Sequence, residues 1–326
     1  MLTDSFGRPH TYLRISLTDV CNFRCLYCMP DEDYAFLPRE KRMEAREIGA
    51  LASVFCRLGI NKIRLTGGEP LVRKDFPFIL ELLSPLGTEL LLTTNGLLLR
   101  HHLQAIQQAG IRKVNVSLDS LRPETFARYT QRPVFQEVWD NILHLLEHNF
   151  QVKINVVAIK DQTEKELFDF LDCTRDLPLD IRFIELMPFE GNGWNPAQVI
   201  TSGELLQLAK SKYMVEKMED KPHSTSQKYK IPGHAGTFAF IPTMSQPFCG
   251  DCNRLRLTAD GKIKNCLFGR EELDLLGLLR SGGDVEARIR ESISRKHARM
   301  GGQFPENSLD AQAGSVQNRS MIRIGG

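Results

Sequence analysis

The stretch Cys21-Asn-Phe-Arg-Cys25-Leu-Tyr-Cys28 decides how the rest of this chain is interpreted. Three thiolates within eight residues can hold three irons of a [4Fe–4S] cubane, and no fourth cysteine lies nearby in the sequence. Ferredoxin clusters and four-cysteine zinc ribbons need that fourth ligand. A three-cysteine site leaves one iron open to chelate a substrate, which favours a catalyst over an electron carrier. The alternative is a zinc site that a distant histidine completes.

The same run resembles the signature of the radical SAM superfamily, in which an aromatic residue, here Tyr27, precedes the last cysteine. The resemblance implies a [4Fe–4S] cluster whose open iron binds S-adenosylmethionine (SAM) and reduces it to a 5′-deoxyadenosyl radical. The segment Thr66-Gly-Gly-Glu-Pro70 supports this, because its two glycines have no Cβ and let the backbone approach a ligand closely. The SAM contacts that the resemblance implies are Tyr27, Gly67, Gly68, Glu69, Ser117 and Met187.

A second group, Cys249, Cys252 and Cys266, again offers three cysteines without a fourth. Its spacing is CxxC followed by a third cysteine fourteen positions on. Cys56 and Cys173 lie in predicted helices among apolar neighbours, which is typical of buried structural thiols. The second group therefore predicts another open cluster.

The spacing and flanking residues resemble those of the GTP 3′,8-cyclase family of molybdenum cofactor biosynthesis (the MoaA-like family), over the whole chain. Matching segments are 18–25, 64–70, 93–96, 115–119, 182–188 and the Gly-Gly ending. The resemblance implies a second [4Fe–4S] cluster that binds the guanine of GTP. The radical would remove the ribose C3′ hydrogen, and the carbon radical would add to C8, giving (8S)-3′,8-cyclo-7,8-dihydroguanosine 5′-triphosphate. A flavodoxin- or ferredoxin-like electron donor, a downstream pterin synthase and a homodimer are further implications.

Basic residues within predicted strands are the candidates for holding a triphosphate, because no GxxxxGK[ST] loop is present. Seven such residues in a chain of near-zero net charge predict a polyanion site, since a buried unpaired cation is costly. By the resemblance, the GTP site is lined by Arg14, Arg64, Thr93, Lys153, Arg254, Leu255 and Arg256. Lys62 and Arg182 are added for their strand positions. The resemblance also gives Arg14, Gly325 and Gly326 a part in catalysis.

Six apolar strand-like runs alternate with helical segments from Tyr12 to Met187, which predicts an α/β fold. The predicted strands are Tyr12–Thr18, Asn61–Thr66, Glu89–Thr94, Arg112–Asp119, Val152–Ile159 and Asp180–Met187. The predicted helices between them include Arg46–Leu58, Phe76–Leu83, Leu98–Ala109, Phe135–His148 and Glu164–Asp176. Six βα units can form an incomplete TIM-type barrel of the radical SAM kind, with functional residues at the C-terminal strand ends. The predicted domains are the barrel at 1–188, an α+β extension with the second cluster at 189–307, and a flexible tail at 308–326. The polar composition of the tail predicts disorder, whereas the resemblance implies that its Gly-Gly end reaches the active site. Both interpretations stay open here.

The composition limits the classes of partner. Lys+Arg 42 against Asp+Glu 40 gives a net charge of +2, which offers no general attraction to nucleic acid or to a membrane surface. The sequence has no run of eighteen uncharged apolar residues and no apolar signal core, so we expect a cytoplasmic protein. Two alternative interpretations of the sequence remain. The protein is a radical SAM peptide-maturation enzyme with an auxiliary cluster, or it is a non-catalytic iron–sulfur or zinc protein. The few cysteines after Pro188 count against the first, and the two open cysteine groups count against the second.

Overall fold

The computed structural model describes residues 1–29, 34–312 and 314–326. Its strands are β1 (Leu2–Thr3), β2 (Pro9–His10), β3 (Tyr12–Ser16), β4 (Lys62–Thr66), β5 (Glu89–Thr94), β6 (Lys113–Ser117), β7 (Gln151–Ala158), β8 (Asp180–Glu185), β9 (Glu216–Lys217), β10 (Gln227–Lys230), β11 (Thr237–Ile241), β12 (Arg254–Leu257), β13 (Lys262–Lys264) and β14 (Leu273–Asp274). Its α-helices are α1 (Ala45–Arg57), α2 (Phe76–Leu83), α3 (Leu99–Gln108), α4 (Pro123–Thr130), α5 (Phe135–Glu147), α6 (Leu167–Asp176), α7 (Ser202–Lys212), α8 (Leu276–Arg280), α9 (Val285–Ser294) and α10 (Met321–Ile324).

One large sheet organises the protein. Twelve described strands pair in the order β14-β13-β12-β3-β4-β5-β6-β7-β8-β11-β10-β9, and β1 pairs only with β2. The six strands β3 to β8 are the predicted ones, they run parallel, and each begins within one residue of its predicted start. The predicted α/β architecture with a mostly parallel sheet is therefore confirmed. None of the helices in the described ranges is long and apolar enough to span a membrane.

The predicted boundary after residue 188 does not separate two sheets. β12 pairs in parallel with β3, and β11 pairs in parallel with β8, so strands of the extension continue the barrel sheet on both sides. Without them, the edges of β3 and β8 would leave unpaired backbone groups, and the later strands satisfy these groups. The sheet thus holds eight neighbouring parallel strands, with antiparallel strands outside them.

The two faces of the sheet differ in kind. The outer face is apolar, and residues such as Leu13, Ile63 and Leu255 are fully buried beneath the helices. The inner face carries polar side chains in alternation with these, including Arg14 and Arg64. A TIM-barrel interior is normally filled by Val, Ile and Leu, so a polar interior indicates a binding cavity.

The helices cover the outer face largely as predicted. α1, α2, α3 and α5 begin and end within one residue of their predicted bounds. α4 was not predicted, and it begins at Pro123, a residue that suits the first turn of a helix. Its last residues accept hydrogen bonds from the first cysteine loop, Thr130 O from Arg24 N at 3.0 Å and Tyr129 O from Leu26 N at 3.1 Å. The unpredicted helix therefore supports the motif on which the sequence analysis depends.

The tail differs from the disordered segment that its composition predicts. Ile322 and Ile324 are each 1% exposed, and Ile324 packs in a small apolar cluster with Trp194 and Phe268. Arg323 Nε donates to Tyr34 Oη at 2.9 Å, and its guanidinium also lies over the Tyr34 ring. The overall composition of the tail did not indicate these contacts, because its apolar residues are concentrated in its last turn. Ala313, within the predicted tail, lies outside the described residues.

Candidate active site

The first cysteine loop follows the C-terminal end of β3. Cys28 N donates to Cys25 O at 2.9 Å, which closes a turn, and the buried Phe23 packs edge-on against Phe126 with ring centroids 5.9 Å apart. All cysteines of the chain are free, and those of this loop are half-buried. The loop is thus fixed at the strand end where catalytic residues of this kind of barrel are found.

The Gly67–Gly68 pair joins β4 to this loop. Gly68 N donates to Thr18 O at 2.6 Å and Glu69 N donates to Val20 O at 2.8 Å. A Cβ at Gly67 would lie 2.6 Å from Thr18 O, and one at Gly68 would lie 2.5 Å from Val20 O. The glycines are therefore needed for the approach of the protein's own backbone, a reason that the sequence analysis did not identify.

Two carboxylates with raised pKa values lie near the first cysteine loop. Glu69 is 1% exposed, and it accepts hydrogen bonds from Thr94 Oγ1 and Asn95 N, both at 2.7 Å. Burial raises the pKa of Glu69 to about 7. Asp119 accepts a hydrogen bond of 2.5 Å from Tyr27 Oη, and burial raises the pKa of Asp119 to about 6.

The remaining predicted SAM residues lie at the same end of the barrel. Ser117 is the last residue of β6, and Met187 follows the end of β8. Both are partly buried. All six predicted SAM residues are therefore at or just beyond strand ends, or in the first cysteine loop itself.

The thiols of the first loop are held in an environment that disfavours charge. Burial raises the pKa of Cys21 to about 12, with a further contribution from the negative charge of Glu69. Burial likewise raises the pKa of Cys28 to about 12, with Cys21 and Asp119 contributing. Bound iron ions would supply the positive charge that stabilises the thiolates, so the donor set fits an iron cluster.

The spacing of the cysteines also argues against a single metal ion. Within the described part of the chain, the one group of three His, Cys, Asp or Glu ligand atoms that all lie within 4.8 Å of one another is formed by His144, Glu147 and His148, at the end of the outer helix α5. The sulfurs of each cysteine group are therefore spread more widely. One zinc ion would bring its sulfurs to about 3.8 Å from one another, given Zn–S bonds of about 2.3 Å. A single zinc ion that bound all three sulfurs of a group would need them closer together than they lie here.

The second cysteine group lies at the opposite end of the same strands. Cys252 precedes β12, and Cys266 follows the antiparallel β13. Because β12 is parallel to β3, the two cysteine groups flank opposite ends of a strand pair. Five residues of β3 at about 3.3 Å each put the separation on the order of 15 Å.

The second group also has the opposite electrostatic surroundings. Burial by itself would raise the pKa of Cys252, but the positive charges of Arg254 and Lys296 bring it down to about 7. The guanidinium of Arg254 lies 4.7 Å from the centroid of the Phe248 ring. Carboxylates therefore lie near the thiols of Cys21 and Cys28, whereas cations lie near the thiol of Cys252.

A row of three arginines lies on the inner face between the two groups. Arg256 of β12 is the register partner of Arg14 of β3, and Arg14 is the partner of Arg64 of β4. Adjacent strands are about 5 Å apart, and unit charges at that spacing repel by roughly 3 kcal/mol at an effective dielectric constant of 20. Burial, with the neighbouring guanidinium groups adding to it, lowers the pKa of Arg14 to about 10 and that of Arg256 well below its usual value.

Five of the seven predicted cations have no Asp or Glu carboxylate within 4.0 Å among the described residues. They are Arg14, Arg64, Lys153, Arg254 and Arg256. The other two are ion-paired: Lys62 Nζ lies 3.1 Å from a Glu89 oxygen, and Arg182 lies 2.8 Å from an Asp180 oxygen. The pairing neutralises much of their charge, so neither is a strong candidate for binding phosphate.

Leu255, which the resemblance places at the GTP site, directs its side chain away from the inner face, so only its backbone is available there. Its side chain is fully buried in the apolar core on the outer face, because neighbouring residues of a strand point to opposite faces. Thr93, in contrast, lies at the inner face, where its hydroxyl accepts a hydrogen bond of 3.2 Å from Arg64.

The interior holds polar atoms without partners. Among the described residues, Arg14 Nε, Arg254 Nε, Asn115 Oδ1 and Asn155 Oδ1 are buried and make no hydrogen bond. Buried polar atoms are nearly always paired in proteins, so these atoms mark the place of a polar ligand. The two asparagines and Tyr12, whose hydroxyl accepts a 2.5 Å hydrogen bond from Arg64, were missed by the sequence analysis. Strand alternation could have found them, since they share the inner face with the arginines.

The tail reaches this row of arginines. Arg256 donates to Gly325 O and Arg14 donates to Gly326 O, both at 2.6 Å. Thr66 Oγ1 donates to Gly326 O at 2.5 Å. The end of the tail therefore lies against the row of arginines on the inner face.

Comparison with known proteins gives a consistent result. Residues 15–173 match the radical SAM superfamily, and residues 179–301 match the family described as Molybdenum Cofactor Synthesis C. Among solved structures, SuiB of Streptococcus suis bound to S-adenosylmethionine has a TM-score of 0.59 at 15% identity, over 94% of this chain and 71% of that chain. At that identity the likeness shows the fold alone.

Curated relatives are much closer in sequence. Molybdenum cofactor biosynthesis protein 1 of Mus musculus is 44% identical over 99% of this chain, which spans about half (51%) of that protein. The mitochondrial GTP 3′,8-cyclase of Arabidopsis thaliana is 42% identical, over 100% of this chain and 84% of its own length. The GTP 3′,8-cyclase of Rhodopirellula baltica is 38% identical, over 100% of this chain and 92% of its own length. With the two cysteine groups and the cationic interior, these matches show that the chain belongs to the GTP 3′,8-cyclase family of the radical SAM superfamily.

Proposed function

We propose that this protein is a radical SAM GTP 3′,8-cyclase, which joins C3′ of the ribose to C8 of the guanine in GTP. This reaction is the first step of molybdenum cofactor biosynthesis. The observation that carries the proposal is the row of inner-face arginines Arg256, Arg14 and Arg64 between two open cysteine groups. Among the described residues, none of these three arginines has an Asp or Glu carboxylate within 4.0 Å, although Arg14 and Arg256 also donate to oxygens of the tail.

Membership of the superfamily implies a [4Fe–4S] cluster and SAM, which together supply a 5′-deoxyadenosyl radical when they are bound. The cluster would be held by Cys21, Cys25 and Cys28. SAM would be held by Tyr27, Gly67, Gly68, Glu69, Ser117 and Met187. We further propose a second [4Fe–4S] cluster on Cys249, Cys252 and Cys266, with its open iron available to the guanine. The cationic surroundings of Cys252 support a negatively charged group at this site.

The residues of the cavity have separable tasks in this proposal. Arg14, Arg64, Lys153, Arg254 and Arg256 bind the triphosphate, because guanidinium groups present several donors to phosphate oxygens. The backbone of the Gly325–Gly326 end would exclude water from the reacting carbons, and Arg14 links it to the substrate through its bond to Gly326 O. Arg14, Gly325 and Gly326 would thus act on the radical step rather than on folding.

The partners of the reaction are proposals of the same kind. The family resemblance supports a flavodoxin- or ferredoxin-like reductant, a pterin synthase that consumes the product, and a homodimer. The two competing functions receive no specific support. SuiB, which has also been solved with a bound precursor peptide, bears on the peptide-maturation alternative, but it resembles this chain in fold alone. The three sulfurs of each cysteine group do not all lie within 4.8 Å of one another, so they do not suit a mononuclear zinc site.

The decisive experiment is anaerobic reconstitution with iron and sulfide, followed by incubation with SAM, a strong reductant and GTP. Mass spectrometry should detect 5′-deoxyadenosine together with the cyclised nucleotide. Each arginine contact to phosphate that is lost should cost about 1.5–3 kcal/mol of binding free energy. Arg256→Ala and Arg254→Ala should therefore weaken GTP binding at least tenfold, whereas the ion-paired control Lys62→Ala should weaken it much less. Unchanged GTP binding in both arginine variants would refute the phosphate site, and absence of the cyclised product from the parent protein would refute the function.

A further inference from the structure

Lys296 occupies an unusual position beside the second cysteine group. It follows α9, its side chain is only 4% exposed, and its Nζ lies 3.7 Å from Cys252 Sγ and 3.2 Å from Arg254 O. Within the described ranges no Asp or Glu carboxylate lies within 4.0 Å of this ammonium group. A buried ammonium without an anion is costly, so the arrangement requires a negative partner next to Cys252.

The position of Lys296 is set by an arginine from the other end of the chain. Arg8 donates to Cys249 O at 2.8 Å, to Ala298 O at 2.7 Å and to His297 O at 3.0 Å. Arg8 is itself buried and paired with Asp4 at 2.7 Å. One side chain therefore ties the cysteine loop to the segment that carries Lys296.

A second donor approaches another sulfur of the same group. Met300 N donates to Cys249 Sγ at 3.4 Å. At the first cysteine loop, the carboxylates Glu69 and Asp119 instead contribute to raising the pKa values of Cys21 and Cys28. Hydrogen bonds to the sulfurs and the local net charge are the main means by which a protein sets the potential of an iron–sulfur cluster.

We propose that Lys296 is a positioning residue of the second cluster, which donates a charge-assisted hydrogen bond to Cys252 and raises the reduction potential of that cluster above the value it would otherwise have. The inference rests on the proposed second cluster. Reduction adds a negative charge, and a fixed cation at this distance stabilises the reduced form more than the oxidised form. The carboxylates Glu69 and Asp119 beside the first cysteine loop act in the opposite direction, because negative charge disfavours further reduction.

The test is a potentiometric titration of the reconstituted full-length protein, followed by electron paramagnetic resonance. A parallel preparation with Cys21, Cys25 and Cys28 replaced by Ala isolates the signal of the second cluster. Lys296→Met removes the cation with little loss of volume, and Lys296→Arg keeps it. Arg295→Met is the matched control, because it removes a positive charge from the neighbouring residue, whose side chain is half-exposed and paired with Glu291 at 2.5 Å.

Lys296→Met should retain the iron of the second cluster while its equilibrium constant for reduction falls about tenfold, which corresponds to 59 mV for one electron. Lys296→Arg and Arg295→Met should titrate like the parent, and SAM cleavage without GTP should be unchanged in all three. An unchanged potential in Lys296→Met would overturn the proposal. If Lys296→Met loses the cluster, retention with the parent potential in Lys296→Arg supports it, and loss in both variants overturns it in favour of a packing role. A parent protein without iron at the second site would instead overturn the proposed function, and this inference with it.

Discussion

Gly325 and Gly326 end the tail, but only Gly325 needs to be glycine. Gly325 has φ of +86°, and a Cβ there would lie 2.8 Å from Ser16 Cβ, whereas a Cβ at Gly326 would meet only Met321 Cγ at 4.0 Å. We expect Gly325→Ala to displace the end of the tail and to abolish the cyclised product, with iron content and melting temperature near those of the parent. Mass spectrometry of the nucleotide products measures the effect.

Gly326→Ala is the matched control for that change. It should keep most of the cyclising activity, because the added methyl group enters open space without backbone strain. Equal activity in the two variants would show that the tail does not need its close approach to β3 and β4.

Lys153 should make the binding of GTP depend on pH. Burial, with the positive charge of Arg182 adding to it, lowers the pKa of Lys153 to about 8, and Asp180 opposes the shift only in part. A bound triphosphate favours the charged form, so the pKa rises in the complex and binding takes up a proton above pH 8. GTP affinity should fall about tenfold between about pH 7 and pH 9. Equilibrium dialysis across this range measures it.

Lys153→Arg supplies the control for the pH dependence, because arginine stays charged over the whole range. This variant should bind GTP with an affinity that is nearly constant with pH. If the parent and the variant show the same pH profile, the titrating group is not Lys153.

At the scale of single residues, the sequence indicated the candidate metal ligands and cations but not the ion pairs that some of the cations form. The six clustered cysteines and the cations Arg14, Arg64, Arg254 and Arg256 were identified by spacing, by strand alternation and by resemblance. The alternation of side chains along β12 also directs the Leu255 side chain away from the inner face, although the resemblance placed Leu255 at the GTP site. The ion pairs of Lys62 and Arg182 could not be foreseen. Glu89 lies on the strand next to Lys62, and whether an Asp180 two residues away bends toward Arg182 depends on the rotamer rather than on the sequence.

At the scale of elements, the turn after β4 is predicted to be intolerant of any side chain. Gly67→Ala or Gly68→Ala would push the turn away from the backbone of Thr18 and Val20 and distort the first cysteine loop. We expect either variant to lose the iron of the first cluster and to retain that of the second. Iron analysis and SAM cleavage assays measure this.

Gly250→Ala tests whether this sensitivity is specific. Gly250 lies between Cys249 and Cys252 in the other cysteine loop, and a Cβ there would meet nothing within 4 Å. That variant should retain both clusters. Loss of iron in Gly250→Ala to the same extent as in Gly67→Ala would point to a general sensitivity of cysteine loops instead.

The strands β3 to β8 could be predicted because each is a local apolar run between helices, and local pattern decides such elements. The parallel pairing of β12 with β3 could not, since it joins residues about 240 positions apart and no local pattern encodes a register. The same holds for α4, whose short and mostly polar sequence has a weak helical period but a suitable Pro at its start.

For the whole molecule, the two cysteine groups should together hold about eight irons per chain. Replacing Cys25 by Ser should remove about half of them and stop SAM cleavage. Replacing Cys252 by Ser should also remove about half but should spare SAM cleavage without GTP. Cys56→Ser and Cys173→Ser should leave the iron content unchanged, because both thiols lie on outer helices. An anaerobic preparation with tightly bound zinc and no iron would contradict the prediction.

Strands from the later part of the chain pair with both edges of the sheet formed by β3 to β8, and this pairing has a consequence for synthesis. When residues 1–188 have left the ribosome, the outer edges of β3 and β8 have no partner strand. Their partners, β12 and β11, are synthesised later, as residues 237–257. Exposed strand edges template pairing with other chains, so the nascent intermediate is prone to aggregation. The row of arginines that we propose to bind phosphate is also incomplete at that moment, because Arg256 is synthesised after Arg14 and Arg64. Ligand can therefore stabilise only the finished chain, and a barrel cut at residue 188 should neither stay in solution nor be rescued by GTP.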